Sequence, residues 1–296
     1  MRFSCLTSMP INLAKNVCLI SLILLLPESV RAWGSEGHHQ IGNLAMQALD
    51  DKATSTLQDL LDIDDPQAIH KACNWPDQVR ETPEWEWSAP QHYVNIPSTV
   101  EDYDRERDCP TGNCVTEAIK KYTAQLAEPR LDNRQRWEAF AWLCHLVGDL
   151  HQPLHTGYRD DRGGNQYQIT FHGLKSDLHQ FWDRILIWDR IGRNGNWQPS
   201  KQENHSDAPE NTWDPWQTNT WTSESHKLVR QASYPPDRNI QDAFADQSWL
   251  LIQQQWIKAG QRLAQIINAS VGRGEVTVAR SEAMKTTVGK PVDASN

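Results

Sequence analysis

The chain has 296 residues, enough for one large domain or two small ones, and a formal net charge of −9. Such acidity argues against a broad basic groove for nucleic acid, but not against a phosphate site whose positive charge comes from bound metal. Hydrophobic residues are a modest 38%, yet 14 tryptophans supply the apolar area for a packed core.

Residues 1–32 stand apart. Arg2 and Lys15 precede an apolar run over 17–26 that is too short to span a bilayer, and Val30-Arg31-Ala32 offers small or apolar residues where a signal peptidase reads. The segment reads as a secretory signal peptide, so the protein is expected outside the cell or in the periplasm, without stable membrane association. Cleavage after Ala32 makes Trp33 the mature N-terminus. It removes Arg2, Lys15, Arg31 and Glu28, a net +2, which takes the charge from −9 to −11. Four cysteines remain. Cys109 and Cys114 flank a short turn-rich loop and are expected to pair in an exported chain. Cys73 and Cys144 are either a second pair or two buried thiols.

Helical periodicity covers 37–49 through Ile41, Leu44, Ala45 and Ala48, and Asp50 or Asp51 caps a second helix to about Leu61. Residues 73–95, with Pro76, Pro83 and Pro90, read as irregular. Further helices are expected over 117–126 and 134–150. A small strand or hairpin arm over 167–171 follows the Gly163-Gly164 pair, and 178–190 is again helical. Residues 192–222 read as a long surface loop. Its Trp197, Trp213, Trp216 and Trp221 are either stacking platforms for bases or, the favoured reading, plugs holding the loop to the body. The longest helix spans 240–268, and 272–296 lacks apolar periodicity and reads as a disordered tail. The expectation is a mainly α fold: one helical domain over 33–271 with long loops and at most a short hairpin.

The chemistry concentrates in Ala141–His155. His145 and Asp149 stand four apart on a helix face, Pro153 ends the helix, and the bend lets His155 return to the same region. His179 and Asp183 repeat the spacing. One such pair is ordinarily a surface hydrogen bond. Two within forty residues, flanked by Trp, Leu and Phe, point to metal, and imidazole with carboxylate is a ligand set zinc accepts. His38, Asp77 and His92 are further candidates. The α-amino group and carbonyl of Trp33 could chelate a metal once the leader is gone.

On these residues the mature chain resembles the secreted three-zinc, single-strand-specific nucleases of fungi, plants and bacteria, which share a superfamily with bacterial zinc phospholipase C. The resemblance implies a first zinc on Asp77, His92, His145 and Asp149. It implies a second on Trp33, His38 and Asp149, and a third on His155, His179 and Asp183. Three divalent ions against three carboxylates would leave the site cationic inside an acidic protein. A hydroxide bridging the paired zincs would be the nucleophile. Asp77 is implied to orient or deprotonate it, and Arg80 to stabilise charge on the phosphoryl group, with an ordinary surface arginine as the less favoured reading. Tyr93 and Asn95 match the base-stacking and base-bonding positions. Gly164 and Asn165 match the glycine pair and asparagine beside that pocket, and Arg162 departs from an apolar wall common in fungal members.

The implied activity is endonucleolytic hydrolysis of single-stranded RNA and DNA to 5′-phosphorylated products, with 3′-nucleotidase activity, by a monomer. A zinc phospholipase C is the first alternative. The spacing from Trp33 to His38 and an Asp rather than Glu at 183 favour the nuclease. A non-enzymatic secreted zinc-binding protein is the second; it explains the ligands but not Arg80, Tyr93 and the glycine pair.

Overall fold

The computed structural model describes residues 33–61, 65, 67–192, 197–199, 214 and 217–272. The expected leader, the tail beyond Gly272, Trp213 and Trp216 lie outside them. In chain order the helices are α1 (Ser35–Gln47), α2 (Asp51–Leu60), α3 (Ala68–Val79), α4 (Arg105–Asp108), α5 (Val115–Leu126), α6 (Asn133–His151), α7 (Leu178–Gln180), α8 (Leu186–Ile191), α9 (Gln217–Leu228) and α10 (Asp242–Gly272). Short 3₁₀ turns at Glu86–His92 and Pro153–Thr156 complete the frame.

Helix α6 is the centre. Asp132 and Gln135 form a reciprocal capping box at its start, and every residue from Ala139 to His151 is buried. A helix buried on all sides must be surrounded, and α1, α2, α3, α5, α9 and α10 pack against it. Asp50 caps α2 by accepting from the Ala53 N–H (2.7 Å), as its position ahead of the apolar pattern predicts.

Three expectations need correction. Residues 73–95 are not irregular: α3 runs through Pro76, and Glu86–His92 is a 3₁₀ turn. Pro76 forfeits one helical hydrogen bond, but tertiary ties hold the helix. Cys73 is joined to Cys144 of α6 by a disulfide, and Asn74 Nδ2 donates to the Ser35 carbonyl. The 192–222 loop is shortened by α9, which begins at Gln217. That helix has little apolar periodicity, and it docks through buried Trp221 and a hydrogen bond between Thr222 and Thr116 (2.9 Å). The hairpin of β1 (Gln168–Phe171) and β2 (Leu174–Asp177) gains a third strand, β3 (Asn239–Ile240), parallel to β1.

Trp197 and Trp221 are both buried, Trp197 edge-on against Trp256 (5.4 Å), so these two act as plugs. Cys109 and Cys114 are bonded as expected. Among the described residues no helix is long and apolar enough to cross a membrane.

Candidate metal centre

Helix α6 presents His145 and Asp149 one turn apart. Helix α1 sends His38 to the same place, an approach that depends on Gly148: a β-carbon there would lie 2.8 Å from His38 Nδ1. The His38 and His145 rings stack with centroids 3.9 Å apart. The C-terminal turn of α3 brings Asp77, and the chain leaving the Glu86–His92 turn brings His92. Around Asp149, His38 Nε2 stands 3.4 Å from Oδ1, while His92 Nδ1 and His145 Nε2 stand 3.0 and 3.4 Å from Oδ2. Asp77 Oδ1 is 3.6 Å from His145 Nε2 and 3.4 Å from Arg80 Nη1.

Past His151 the chain turns extended at Gln152, and the Pro153–Thr156 turn carries His155 back. His155 stacks on His179 from α7, centroids 5.0 Å apart. Asp183 sits in a π-helical turn, Phe181–Ile185, inserted between α7 and α8, with Oδ2 3.2 Å from His179 Nε2. His155 Nδ1 lies 3.9 Å from Asp149 Oδ1, so the two clusters adjoin.

Three groups could each hold a metal ion: His38, Asp77 and His145; His92, His145 and Asp149; and His155, His179 and Asp183. The first two share His145. This partition differs from the one the resemblance implies, which sets His38 with Asp149 and Asp77 with His92. The 3.4 Å from His38 to Asp149 and 3.8 Å from His92 to Asp77 keep both partitions within one cluster.

The residues fit cations. Buried polar atoms normally have partners. Here both nitrogens of His38, Nε2 of His92, His155 and His179, and one oxygen each of Asp77 and Asp149 have none. His145, His155 and His179 each donate from Nδ1 to a backbone carbonyl, of Cys73 (2.9 Å), His92 (2.6 Å) and Gly163 (2.6 Å). That turns each Nε2 to the pocket, where His145 Nε2 stands 3.0 Å from His92 Nδ1 and the other two have no hydrogen-bond partner, the way metal-ligating imidazoles are oriented. Burial holds His38, His92, His145 and His155 below the usual imidazole value, and neighbouring imidazoles reinforce this for His38, His92 and His155. Burial is the largest single influence on His179 and lowers it, but the charge and hydrogen bond of Asp183, the Gly163 carbonyl and the Asp177 charge together outweigh it and raise that ring. Burial, then the Asp77 charge, pushes Asp149 up, and burial raises Asp183. Neutral imidazoles beside desolvated carboxylates are what a divalent ion binds and relieves.

Trp33 and Gly34 are each tied to a backbone carbonyl at or next to a candidate ligand. The Trp33 indole is buried and donates to the Gly148 carbonyl of α6 (2.9 Å), and the next residue, Gly34, donates its N–H to the Asp183 carbonyl (2.6 Å).

The rim is built by an extended segment leaving the 3₁₀ turn. Successive side chains alternate from His92 inward, to Tyr93 outward at 42% exposure, to buried Val94 and half-buried Asn95. Val94 N–H donates to the His155 carbonyl (2.8 Å), tying this segment to the third group. Tyr93 and Asn95 share a groove of about 410 Å³ with Arg107, Asn113 and Arg159. Gly163 and Gly164 take left-handed φ of 63° and 80°; a β-carbon on Gly163 would meet the Leu154 carbonyl at 2.3 Å and lie 3.5 Å from Asn95 Oδ1. The glycine pair thus abuts Asn95. Asn165 instead turns inward on its own loop, donating Nδ2 to the Arg162 carbonyl (2.7 Å), and Arg162 is exposed.

Sequence reasoning missed two supporting residues. Gln152, fully buried, donates Nε2 to Asp183 Oδ1 (2.5 Å). Asp161 accepts from the Gly164 N–H (2.9 Å) and the Tyr234 hydroxyl (2.5 Å), bracing the turn whose Gly163 carbonyl orients His179. The signal for Gln152 was available: a polar residue just before Pro153 leaves the helical stripe and, if buried, needs partners. Asp161 had no such signal.

The chain is similar to known nucleases. Endonuclease 5 of Arabidopsis thaliana is 34% identical over 183 residues, 57% of this chain and 62% of that protein. Endonuclease 1 of the same plant is 28% identical over 274 residues, covering 83% of this chain and 90% of its own length. Nuclease P1 of Penicillium citrinum is 28% identical over 265 residues, 80% and 97% of the two chains. The chain spans 55–62% of the length of the Arabidopsis endonucleases it matches at 32–34% identity. The S1/P1 nuclease family profile matches residues 33–272, and the chain belongs to that family.

Proposed function

We propose that this is a secreted zinc-dependent nuclease that hydrolyses phosphodiester bonds in single-stranded RNA and DNA and releases 5′-phosphorylated products. What carries the reading is the set of buried, unpartnered imidazole and carboxylate atoms on six separate segments, together with a stacking rim a few residues from them. Zinc fits nitrogen and oxygen donors of this kind, and we assign three ions. One takes Asp77, His92, His145 and Asp149; one takes His38, Asp149 and the amino end at Trp33; one takes His155, His179 and Asp183. Bound zinc would supply acidified water and neutralise charge on the phosphate oxygens.

The chain's own groups then divide the work. Asp77 Oδ1, buried and without a hydrogen-bond donor, accepts a proton from incoming water and orients it. Arg80, 3.4 Å from Asp77 and mostly buried, places a guanidinium where charge develops on the phosphoryl oxygens. The exposed Tyr93 ring stacks a base, and Asn95 beside the glycine pair hydrogen-bonds its edge, accepting and donating where a carboxylate could only accept. Protein with measured zinc content, incubated with single-stranded DNA, RNA, duplex DNA and phosphatidylcholine, tests the reading. Degradation of the single strands, abolished by chelator and restored by zinc, is expected. Lipid turnover without polymer loss would make it a phospholipase, and tight zinc without either activity a binding protein.

A further inference from the structure

Gln152 makes four hydrogen bonds, and three go to residues of the candidate metal groups. Its backbone N–H donates to the Asp149 carbonyl (3.0 Å), and its carbonyl accepts from the His155 N–H (2.9 Å). Its side chain donates Nε2–H to Asp183 Oδ1 (2.5 Å), while Oε1 accepts from the Leu154 N–H (2.6 Å). The orientation of the amide is therefore dictated chemically. Turned over, it would set oxygen against a carboxylate oxygen and NH₂ against an N–H, losing both bonds in a fully buried site.

We propose that Gln152 is a positioning residue that presents Asp183 to a metal ion through one oxygen. The inference rests on reading His155, His179 and Asp183 as a metal site. The amide occupies Oδ1, which also stands 3.9 Å from His155 Nε2, and Oδ2, free of any amide, faces His179 Nε2 at 3.2 Å. A carboxylate free to rotate could turn either oxygen, or both, to a cation; one held by a buried amide has a single orientation before the ion arrives. The Oε1 bond to Leu154 makes the same side chain fasten the turn that returns His155. Gln152 so sets two of the three ligands of one ion, and through its backbone N–H it joins that group to Asp149 of the other cluster.

The test compares the purified protein with Gln152→Met, Gln152→Glu and His179→Ala. The first substitution keeps the volume and removes both side-chain bonds. The second keeps an acceptor for Leu154 but places a carboxylate beside Asp183. Each protein is loaded with zinc, dialysed against graded chelator and analysed for retained metal, with thermal melting to establish the folded fraction. Both Gln152 variants are expected to release one ion at about 10- to 100-fold lower chelator strength, with Gln152→Glu the weaker binder and the remaining ions held as before. An unshifted release curve in both variants, while His179→Ala loses one ion, would overturn the positioning role alone. Loss of all ions together, in step with unfolding, would also overturn it, since that is what a purely structural residue produces. If His179→Ala itself keeps every ion, the underlying metal site fails and this role fails with it.

Discussion

The two His-x-x-x-Asp pairs have the same spacing and different surroundings. His145 and Asp149 lie on the regular helix α6, and Asp149 has imidazoles on both oxygens: His38 at Oδ1, His92 and His145 at Oδ2. His179 and Asp183 lie where the helix widens into a π turn, and Asp183 has one oxygen taken by Gln152 and the other beside His179. The first carboxylate is open to ions on two sides; the second is open on one. Identical motifs thus differ in what they can hold because the groups around them, distant in sequence, differ.

Removing all metal should have the largest effect. Chelation is expected to abolish hydrolysis and to lower the melting temperature by about 10 °C or more, since each kcal/mol corresponds to roughly 2–4 °C in a domain of this size and buried carboxylates would lose their compensating charge. An unchanged melting curve would show that the clusters need no cation. Next, Asp149→Asn is expected to cost two ions and about 10³-fold in kcat/KM, the response of a carboxylate that serves both sides. Metal analysis still finding three ions would remove its bridging role. Asp183→Asn should cost one ion and about 10²-fold in rate, again on the metal's share of catalysis; equal losses in the two variants would erase the contrast between the pairs.

Residues retained ahead of Trp33 convert its amine to an amide and should cost one ion and most activity, roughly tenfold. Full activity with the extension verified by mass spectrometry would take the amino end out of the site. The smallest effect belongs to the rim. Tyr93→Ala should raise KM about fivefold with kcat nearly unchanged, the loss of about 1 kcal/mol of base stacking, and equal changes in kcat would place Tyr93 in the chemistry instead.

A different feature shows how burial overrides a motif. Asn268-Ala-Ser has the form of a glycosylation site, but Asn268 accepts from the Asp50 N–H (3.1 Å) and donates to the Ala48 carbonyl (3.3 Å) and is 8% exposed. The folded chain does not offer it to a transferase.

Local pattern was enough for α1, α2, α5, α6 and α10, because an amphipathic or wholly apolar helix declares itself by spacing, and for the bend at Pro153, because proline cannot continue a helix. The nine proposed ligand positions were also legible, through spacing and the family resemblance. Helix α3 was hidden by Pro76 and depends on the bond from Cys73 to Cys144. Helix α9 was hidden by its polar sequence and depends on Thr116 and Trp221 finding buried partners. The glycine that admits His38 and the amide on Asp183 come from contacts between residues 110 and 31 positions apart, and the grouping of the ligands from contacts as distant as His38 with Asp149, 111 apart. Periodicity records what one element presents to its surroundings. Which groups meet there, and which oxygen stays open to a cation, follows only once the elements are packed.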